Sequence, residues 1–232
     1  MAGNGTRPVA HARRLVELVG PAGAGKSTVA HLLRRPAGGM RAAPGLWSLP
    51  RGPLGLNTLR LLPRVLGFYR AFPGRVWEEM KQIIRLDTLY RVVGGRNGAT
   101  EPVLLDEGPV LALGWFAVYG DARVRRPAFA AWLDGAVTRW ATALDVVVLL
   151  DAPDAVLVRR IRERAKPHGA KAKTEAEITA FIRTYRAALG AAIDSLRRAG
   201  GLAVIRIDTG DATPEMTAQS VRDALDRATD GN

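Results

Sequence analysis

The chain has 232 residues, of which 47% are hydrophobic, and its formal net charge is +12. That length suffices for one α/β core with an inserted lobe, and no apolar run approaches the roughly 20 residues needed to span a bilayer. The sequence contains no cysteine, which excludes disulfides, thiolate metal sites and a cysteine nucleophile.

The positive charge is mostly arginine, which provides 29 of the 34 basic residues. One interpretation is affinity for polyanions such as nucleic acid, anionic membranes or phosphorylated substrates. The other is a GC-rich coding bias, which raises arginine, alanine and glycine together. The charge alone does not decide between them, so nucleic acid is not excluded as a partner.

Residues 1–12 contain no apolar signal core, so we expect a flexible tail there and a cytoplasmic protein. An apolar strand is predicted at 14–19 and a helix at 26–35. Between them lies the run Gly20-Pro21-Ala22-Gly23-Ala24-Gly25-Lys26-Ser27-Thr28. This strand–loop–helix context is that of a phosphate-binding loop.

The chemistry of a phosphate-binding loop explains this composition. Glycines let backbone N–H groups turn toward a phosphate chain, and the helix N-terminus adds partial positive charge. We expect Lys26 to reach the β- and γ-phosphates and Ser27 to ligate Mg²⁺. The predicted cofactor-binding residues in this run are Gly20, Ala22, Gly23, Ala24, Gly25, Lys26, Ser27 and Thr28. The loop therefore predicts binding of a nucleoside triphosphate.

The segment 36–57 is rich in glycine and proline and predicts an irregular connection, with a short second strand near 40–47. Helices are predicted at about 57–71 and 75–93. Pro63 indicates that the first helix is kinked or begins only there. Its apolar face either packs on its own domain or rests on a membrane surface. That face consists of Leu59, Leu62, Val65, Leu66 and Tyr69.

Beyond residue 100, strands and helices alternate. A strand is predicted at 103–106, followed by helices at about 109–119 and 127–143 and a fully buried strand at 144–151. A helix to about 163, a mobile polar loop at 164–173, a helix to about 198, a strand at 202–208 and a helix opened by Thr213-Pro214 complete the chain. This order predicts the α/β class: a single doubly wound parallel sheet with helices on both faces, in one domain over 1–232.

The strand at 103–106 ends in Asp106-Glu107, beside the predicted phosphate loop. An acidic residue there is placed to hold Mg²⁺ through its water shell or to accept a proton from an attacking hydroxyl. Both residues are candidate catalytic groups and Asp106 is a candidate metal ligand, with their roles left open. The alternative is that the acid caps the following helix.

A dense basic segment follows the buried strand at 144–151. Within it, Arg160 and Arg164 share one helix face. A mobile lid at 160–174 would bring such charge over a migrating phosphoryl group, and both arginines are candidate catalytic residues. A solvated helix face is the alternative, and a nucleic-acid patch is disfavoured because no aromatic lies within the segment. Its basic residues are Arg159, Arg160, Arg162, Arg164, Lys166, His168, Lys171 and Lys173.

This succession of loop, acidic strand end and Arg-rich lid resembles the P-loop nucleoside and nucleotide kinases, thymidylate-kinase-like proteins above all. The passage at 150–164 is similar to their strand–Pro–helix–lid segment, and Phe181-Ile182-Arg183-Thr184-Tyr185 resembles their Arg/Tyr element. The resemblance implies a P-loop kinase fold, ATP and Mg²⁺ as cofactors, and a helical substrate-binding lobe at 36–100.

The same resemblance implies further site residues. Thr209 would lie near the adenine, and Arg85 would meet a substrate phosphate, with Arg91 as the nearby alternative and Tyr90 as a further contact. Asp106-Glu107 stands where thymidylate kinases carry an Asp-Arg pair. That departure favours a different acceptor, such as one that carries an alcohol.

Three functions follow from these features. The leading one is a kinase for a small-molecule acceptor, namely a nucleoside, a nucleotide or a sugar-like metabolite. The second is an NTPase working as a switch or motor, with Asp106 on Mg²⁺ and Glu107 polarising a hydrolytic water. The third is a kinase for nucleic-acid ends, which would use the positive charge directly. The oligomeric state is left open, a homodimer included.

Overall fold

A computed structural model describes residues 14–34, 39–46, 48–71, 76–94, 102–120, 127–164 and 169–230. The predicted tail at 1–12 and two basic residues of the lid, Lys166 and His168, lie outside these ranges. The structure describes the backbone but not the side chains at 64–71. Val65, Leu66 and Tyr69 of the predicted apolar face are among these side chains. Within the described part of the chain, no helix is long and apolar enough to cross a membrane.

The described residues form one parallel sheet, and its strands lie in the order β2-β3-β1-β4-β5. This confirms the predicted doubly wound sheet. The strands are β1 (Leu15–Val19), β2 (Arg41–Ala42), β3 (Val103–Leu105), β4 (Val146–Asp151) and β5 (Ala203–Asp208). The helices are α1 (Lys26–Leu33), α2 (Arg51–Ala71), α3 (Val76–Val93), α4 (Pro109–Tyr119), α5 (Pro127–Ala143), α6 (Asp154–Glu163), α7 (Glu175–Ala199) and α8 (Pro214–Asp230).

Both faces of β1 are covered, because every residue of this central strand is buried. Successive side chains of a strand point to opposite faces. Leu15 and Val19 accordingly join a core with α3, α4, α5 and α7. Val16 and Leu18 join a second core with α1, α6 and α8. The helices therefore lie on both sides of the sheet, and the carboxyl ends of the strands stay open for a ligand.

Helices α2 and α3 form the lobe between β2 and β3, and α2 differs from its prediction. It begins at Arg51 rather than near 57, and it continues through Pro63. Its buried side is formed by Asn57 and Leu61, whereas Leu59 is 69% and Leu62 is 41% exposed. The predicted packing of Leu59 and Leu62 is therefore wrong.

The physical reason lies in the hydrogen bonds of Asn57. Its Nδ2 donates to Thr88 Oγ1 at 2.8 Å and to the Ile84 carbonyl at 3.4 Å on α3. These partners satisfy a polar side chain that is only 3% exposed. They fix the face that α2 turns toward α3, and they leave Leu59 on the other side.

Candidate nucleotide-binding site

The loop between β1 and α1 has the backbone conformation of a phosphate cradle. Gly25 caps α1 with φ +83°, and Gly20 has φ +154°, conformations that favour glycine. A Cβ on Gly20 would lie 2.1 Å from the Leu150 carbonyl oxygen. Glycine at position 20 therefore lets the loop pass directly over the end of β4.

Lys26, the first residue of α1, folds back over this loop. Its Nζ donates to the carbonyl oxygens of Gly20 at 2.7 Å and Pro21 at 2.9 Å. Burial, and then the positive charge of Arg164, lower the pKa of Lys26 from 10.5 to about 8. Both of these acceptors are neutral carbonyl oxygens. A phosphate bound at the loop would add an anionic partner for the ammonium.

The loop and the carboxyl end of α6 line a cavity of about 320 Å³. Arg164 and Arg160 reach it from α6, and Ser27 and Thr28 reach it from α1. The structure thus brings two predicted lid arginines to the predicted phosphate loop. The described residues that line the cavity are Ala22, Gly23, Gly25, Lys26, Ser27, Thr28, Arg160, Glu163 and Arg164.

A second cavity of about 280 Å³ extends from the loop toward the start of α8, and Thr209 and Arg160 line it. The Arg160 guanidinium donates to Thr209 Oγ1 at 3.1 Å and to the carbonyls of Thr209 at 2.7 Å and Gly210 at 3.2 Å. Thr209 Oγ1 also lies 3.1 Å from the Asp151 carbonyl oxygen. Arg160 therefore joins the lid helix to the loop after β5, between the two cavities.

Asp106 and Glu107 follow β3 directly. Asp106 Oδ1 forms an ion pair with Arg34 Nη2 at 2.8 Å, at the end of α1. Glu107 lies against Gly45, where an added Cβ would be 2.7 Å from Glu107 Oε2. Gly45 thus allows the backbone after β2 to approach this carboxylate. The same Cβ would lie 3.4 Å from Asp106 Oδ1, so both acids approach Gly45, and Asp106 also contacts Arg34.

These residues fit the Mg²⁺ that the sequence predicts. Mg²⁺ prefers hard oxygen ligands and usually takes one or two protein groups together with water and phosphate oxygens. Ser27 offers a hydroxyl in the loop cavity, and Asp106 offers a carboxylate on the neighbouring strand. No group of three or more His, Cys, Asp or Glu that could hold a metal occurs among the described residues.

Tyr90 and Arg91 line a different cavity, of about 700 Å³, that shares no lining residue with the loop cavity. There Asp87 accepts from Arg91 Nε at 2.8 Å and from Arg139 Nη2 at 3.4 Å. Arg85 is half-buried on α3 and does not line this cavity. The structure therefore does not bring the three predicted acceptor contacts to the nucleotide loop.

Glu17, which the sequence reasoning did not single out, supports the acid pair. It is fully buried inside β1, and its carboxylate accepts from the backbone N–H groups of Gly108, Val110 and Leu111. Burial raises the pKa of Glu17 from 4.5 to about 7, against the lowering effect of those three hydrogen bonds. A charged residue in the middle of an apolar strand is the signal that points to it.

Arg186 on α7, also not predicted, anchors the start of the lid helix. Its Nε and Nη2 form a fork with the Asp151 carboxylate at 2.7 and 3.0 Å, and its Nη1 donates to Asp154 Oδ1 at 2.8 Å. Arg183, which the resemblance favoured, makes one contact with Asp154 Oδ2 at 3.0 Å and is 71% exposed. Arg183 and Arg186 are three residues apart and lie on one side of α7. Their contacts with Asp151 and Asp154 distinguish them, and these contacts are seen only in the structure.

No protein-family model matches the chain, and no curated protein sequence matches it. Similarity is found among solved structures. A deoxyadenosine kinase from M. mycoides with bound dATP has a TM-score of 0.55 at 13% identity, over 91% of this chain and 98% of its own. A shikimate kinase from Bacteroides thetaiotaomicron has a TM-score of 0.48 at 16% identity, over 92% of this chain and 98% of its own.

At these identities the likeness shows the fold alone. The similarity to the deoxyadenosine kinase, together with the loop between β1 and α1, shows the fold of the P-loop nucleoside and nucleotide kinases. It does not favour the thymidylate-kinase-like branch, which stays a prediction from sequence resemblance.

Proposed function

We propose that this chain is an ATP- and Mg²⁺-dependent kinase for a small-molecule acceptor, in which the γ-phosphate passes to an acceptor hydroxyl. One observation carries the proposal. Lys26 and Arg164 meet at the cavity of the phosphate loop, and the neighbouring strand β3 leads into the Asp106-Glu107 turn. Cations for a migrating phosphoryl group and a carboxylate for the attacking hydroxyl are the two requirements of this reaction.

The adenine would occupy the cavity beside Thr209, which continues from the loop toward α8. The triphosphate would then run along residues 20–28, with Lys26 on the β- and γ-phosphates and Ser27 beside the metal. Ser27 and Asp106 would hold Mg²⁺, which would supply positive charge to offset the negative charge of the phosphates. Arg164, at the end of α6, would add positive charge above the transferred group.

We assign the base to Glu107, because its Oε2 comes closer than Asp106 Oδ1 to a Cβ added at Gly45, at 2.7 Å against 3.4 Å. Gly45 precedes the helical lobe that would bind the acceptor. Glu107 would take the proton of the acceptor hydroxyl as that oxygen bonds to the γ-phosphorus, and the bond from phosphorus to the ADP oxygen breaks. Asp106, held by Arg34 on the α1 side, is the metal-associated acid. Arg85, Tyr90 and Arg91 stay predicted acceptor contacts, to be tested through the acceptor KM.

The test follows labelled γ-phosphate from ATP·Mg²⁺ into pools of nucleosides, nucleoside monophosphates, sugars and amino sugars, with oligonucleotides and water as further arms. Wild type is compared with Lys26→Ala and with Arg198→Ala, which removes an exposed positive charge from α7. Label in one small-molecule pool, lost only in Lys26→Ala, supports the kinase. Label in free phosphate alone, at the rate of the water arm, would contradict it and favour a hydrolytic NTPase.

A cytoplasmic location and a homodimer belong to the same proposal. Light scattering on a size-exclusion column tests the second, because a monomeric mass at assay concentration would exclude the dimer.

A further inference from the structure

Glu17 is the charged residue of the apolar strand β1, and its carboxylate is enclosed by the protein. Glu17 is 0% exposed. Its Oε1 accepts from the N–H groups of Gly108 and Leu111, both at 3.1 Å, and its Oε2 accepts from the N–H group of Val110 at 2.9 Å. One side chain of β1 therefore holds three backbone donors at the start of α4.

These donors belong to the first turn of α4, where a helix leaves its N–H groups without internal partners. The cap residue of α4 is Gly108, which has no side chain for capping. A Cβ at this position would lie 2.6 Å from the Glu17 Cδ. Gly108 thus admits the carboxylate, and a neighbouring strand supplies the cap that the helix lacks.

The position of Glu17 links the two halves of the candidate site. Three residues after Glu17, the same strand becomes the phosphate loop at Gly20. Glu17 binds the first turn of α4, whose cap residue Gly108 comes directly after Asp106 and Glu107. Leu105, which precedes the two acids, is paired with Glu17 in the sheet. A shift of the α4 start relative to β1 would move the acid pair relative to the loop.

We propose that Glu17 is a positioning residue for phosphoryl transfer, because it fixes the Asp106-Glu107 turn against the strand that carries the phosphate loop. The inference rests on the proposed kinase function and adds a residue to it. Glu17 does not line the loop cavity, so its loss acts on the transfer step rather than on nucleotide binding.

The test compares wild type with Glu17→Gln, which keeps the shape but offers one oxygen and an NH₂ group to three donors. A displacement of about 1 Å at a reacting group costs on the order of 100-fold in rate. We therefore expect kcat to fall about 10- to 100-fold, with the ATP Kd changed less than about threefold. Amide hydrogen exchange should rise at Val110 and Leu111 and stay unchanged in α1.

Asp145→Asn is the matched control. Asp145 Oδ2 accepts from the N–H group of Leu15 at 2.7 Å, a carboxylate contact to the amino end of the same strand. This variant removes a carboxylate from β1 but leaves an amide oxygen for Leu15, and kcat should stay within about twofold of wild type because the contact is remote from Asp106 and Glu107. Equal loss of kcat in both variants would mean a general weakening of β1 and would overturn the inference.

The outcomes separate this inference from the proposed function. A wild type that transfers no phosphate to any acceptor overturns both. An active wild type with an equally active Glu17→Gln overturns the positioning role alone. If Glu17→Gln does not fold, Glu17→Asp, which keeps the charge but shortens the reach, is measured in the same way. Normal kcat in that variant, with raised exchange at Val110, would overturn the inference.

Discussion

Arg186 gives the sharpest test of the energetics of the site. Its guanidinium makes the fork to Asp151, the contact to Asp154 and a 3.1 Å hydrogen bond to the Ala152 carbonyl. These contacts hold the carboxyl end of β4 and the first turn of α6 against α7. Arg186→Ala would leave two carboxylates without this cation.

The magnitude follows from exposure. The side chains of Arg186, Asp151 and Asp154 are 30%, 33% and 28% exposed. Hydrogen bonds to charged groups contribute about 1.5–3 kcal/mol each when sheltered, and partial contact with water reduces this. For the whole cluster we expect a loss of about 3 kcal/mol in the free energy of unfolding. In a chain of this size that corresponds to a Tm lower by about 6–12 °C.

Arg183→Ala is the matched control, because Arg183 is 71% exposed and makes a single contact to Asp154. A loss of less than about 1 kcal/mol is expected for it. Urea unfolding followed by circular dichroism measures both variants, with an unchanged m-value as the sign of an unchanged unfolding transition. Equal destabilisation of the two variants, within about 1 kcal/mol, would refute the reasoning.

The pH dependence gives the cluster a second signature. The hydrogen bond from Arg186 lowers the pKa of Asp154 below its ordinary value. A depressed folded-state pKa contributes stability that is present above the unfolded-state pKa and is lost as the pH falls through the folded-state value. Wild type should therefore lose stability in acid more steeply than Arg186→Ala. Parallel acid limbs for the two proteins would contradict this account.

Three further predictions follow from single positions. Gly20→Ala should destabilise the fold by more than about 3 kcal/mol in urea unfolding, because the added Cβ would lie 2.1 Å from the Leu150 carbonyl oxygen. Gly190→Ala in α7 is the control, because nothing lies within 4 Å of a Cβ added there. This control should be neutral or stabilising by up to about 1 kcal/mol. Leu59→Gln should change the free energy of unfolding by less than about 0.5 kcal/mol, since Leu59 is 69% exposed, and a larger loss would mean that α2 packs by another face. Burial raises the pKa of Glu17 from 4.5 to about 7, and the resulting contribution to stability is complete below pH 4.5 and is lost as the pH rises through about 7. The upper limit of this contribution is about 3 kcal/mol. Glu17→Gln should therefore flatten the profile of thermal stability against pH across that window.

The sequence predicts the parts of this fold that depend on local signals. The loop at 20–28 contains its own glycines, lysine and helix start, and the buried β-branched run of β4 is typical of a central parallel strand. Short-range patterns of this kind do not require knowledge of distant partners. A doubly wound parallel sheet, with the loop at the carboxyl end of its first strand, follows from these patterns.

The remaining features depend on pairs that are distant in sequence. Glu17 and Gly108 are 91 residues apart, and Arg186 and Asp151 are 35 apart. Glu17 stands out as a charge in an apolar strand, but no local pattern marks Gly108 as its partner, and none marks Arg186 and Asp151 as a pair. The predicted packing of Leu59 and Leu62 was wrong for another reason. Helix α2 has apolar residues on several faces, namely Leu54, Leu59, Leu61 and Leu62. The hydrogen bonds of Asn57, a polar residue, decide which of these faces is buried.

The cations of the nucleotide site are held by carbonyl oxygens, and this has a consequence for binding. Lys26 donates to the carbonyls of Gly20 and Pro21, and Arg160 donates to those of Thr209 and Gly210. A carbonyl dipole orients a cation without forming an ion pair with it, so neither of these contacts supplies an anion. The two hydrogen bonds hold the Lys26 side chain at the loop, and a side chain that is already ordered costs less entropy when it binds a ligand. Nearby carboxylates have other partners, Asp106 with Arg34 and Asp151 with Arg186, so the triphosphate that we propose would meet Lys26 and Arg160 without competition from these two acids.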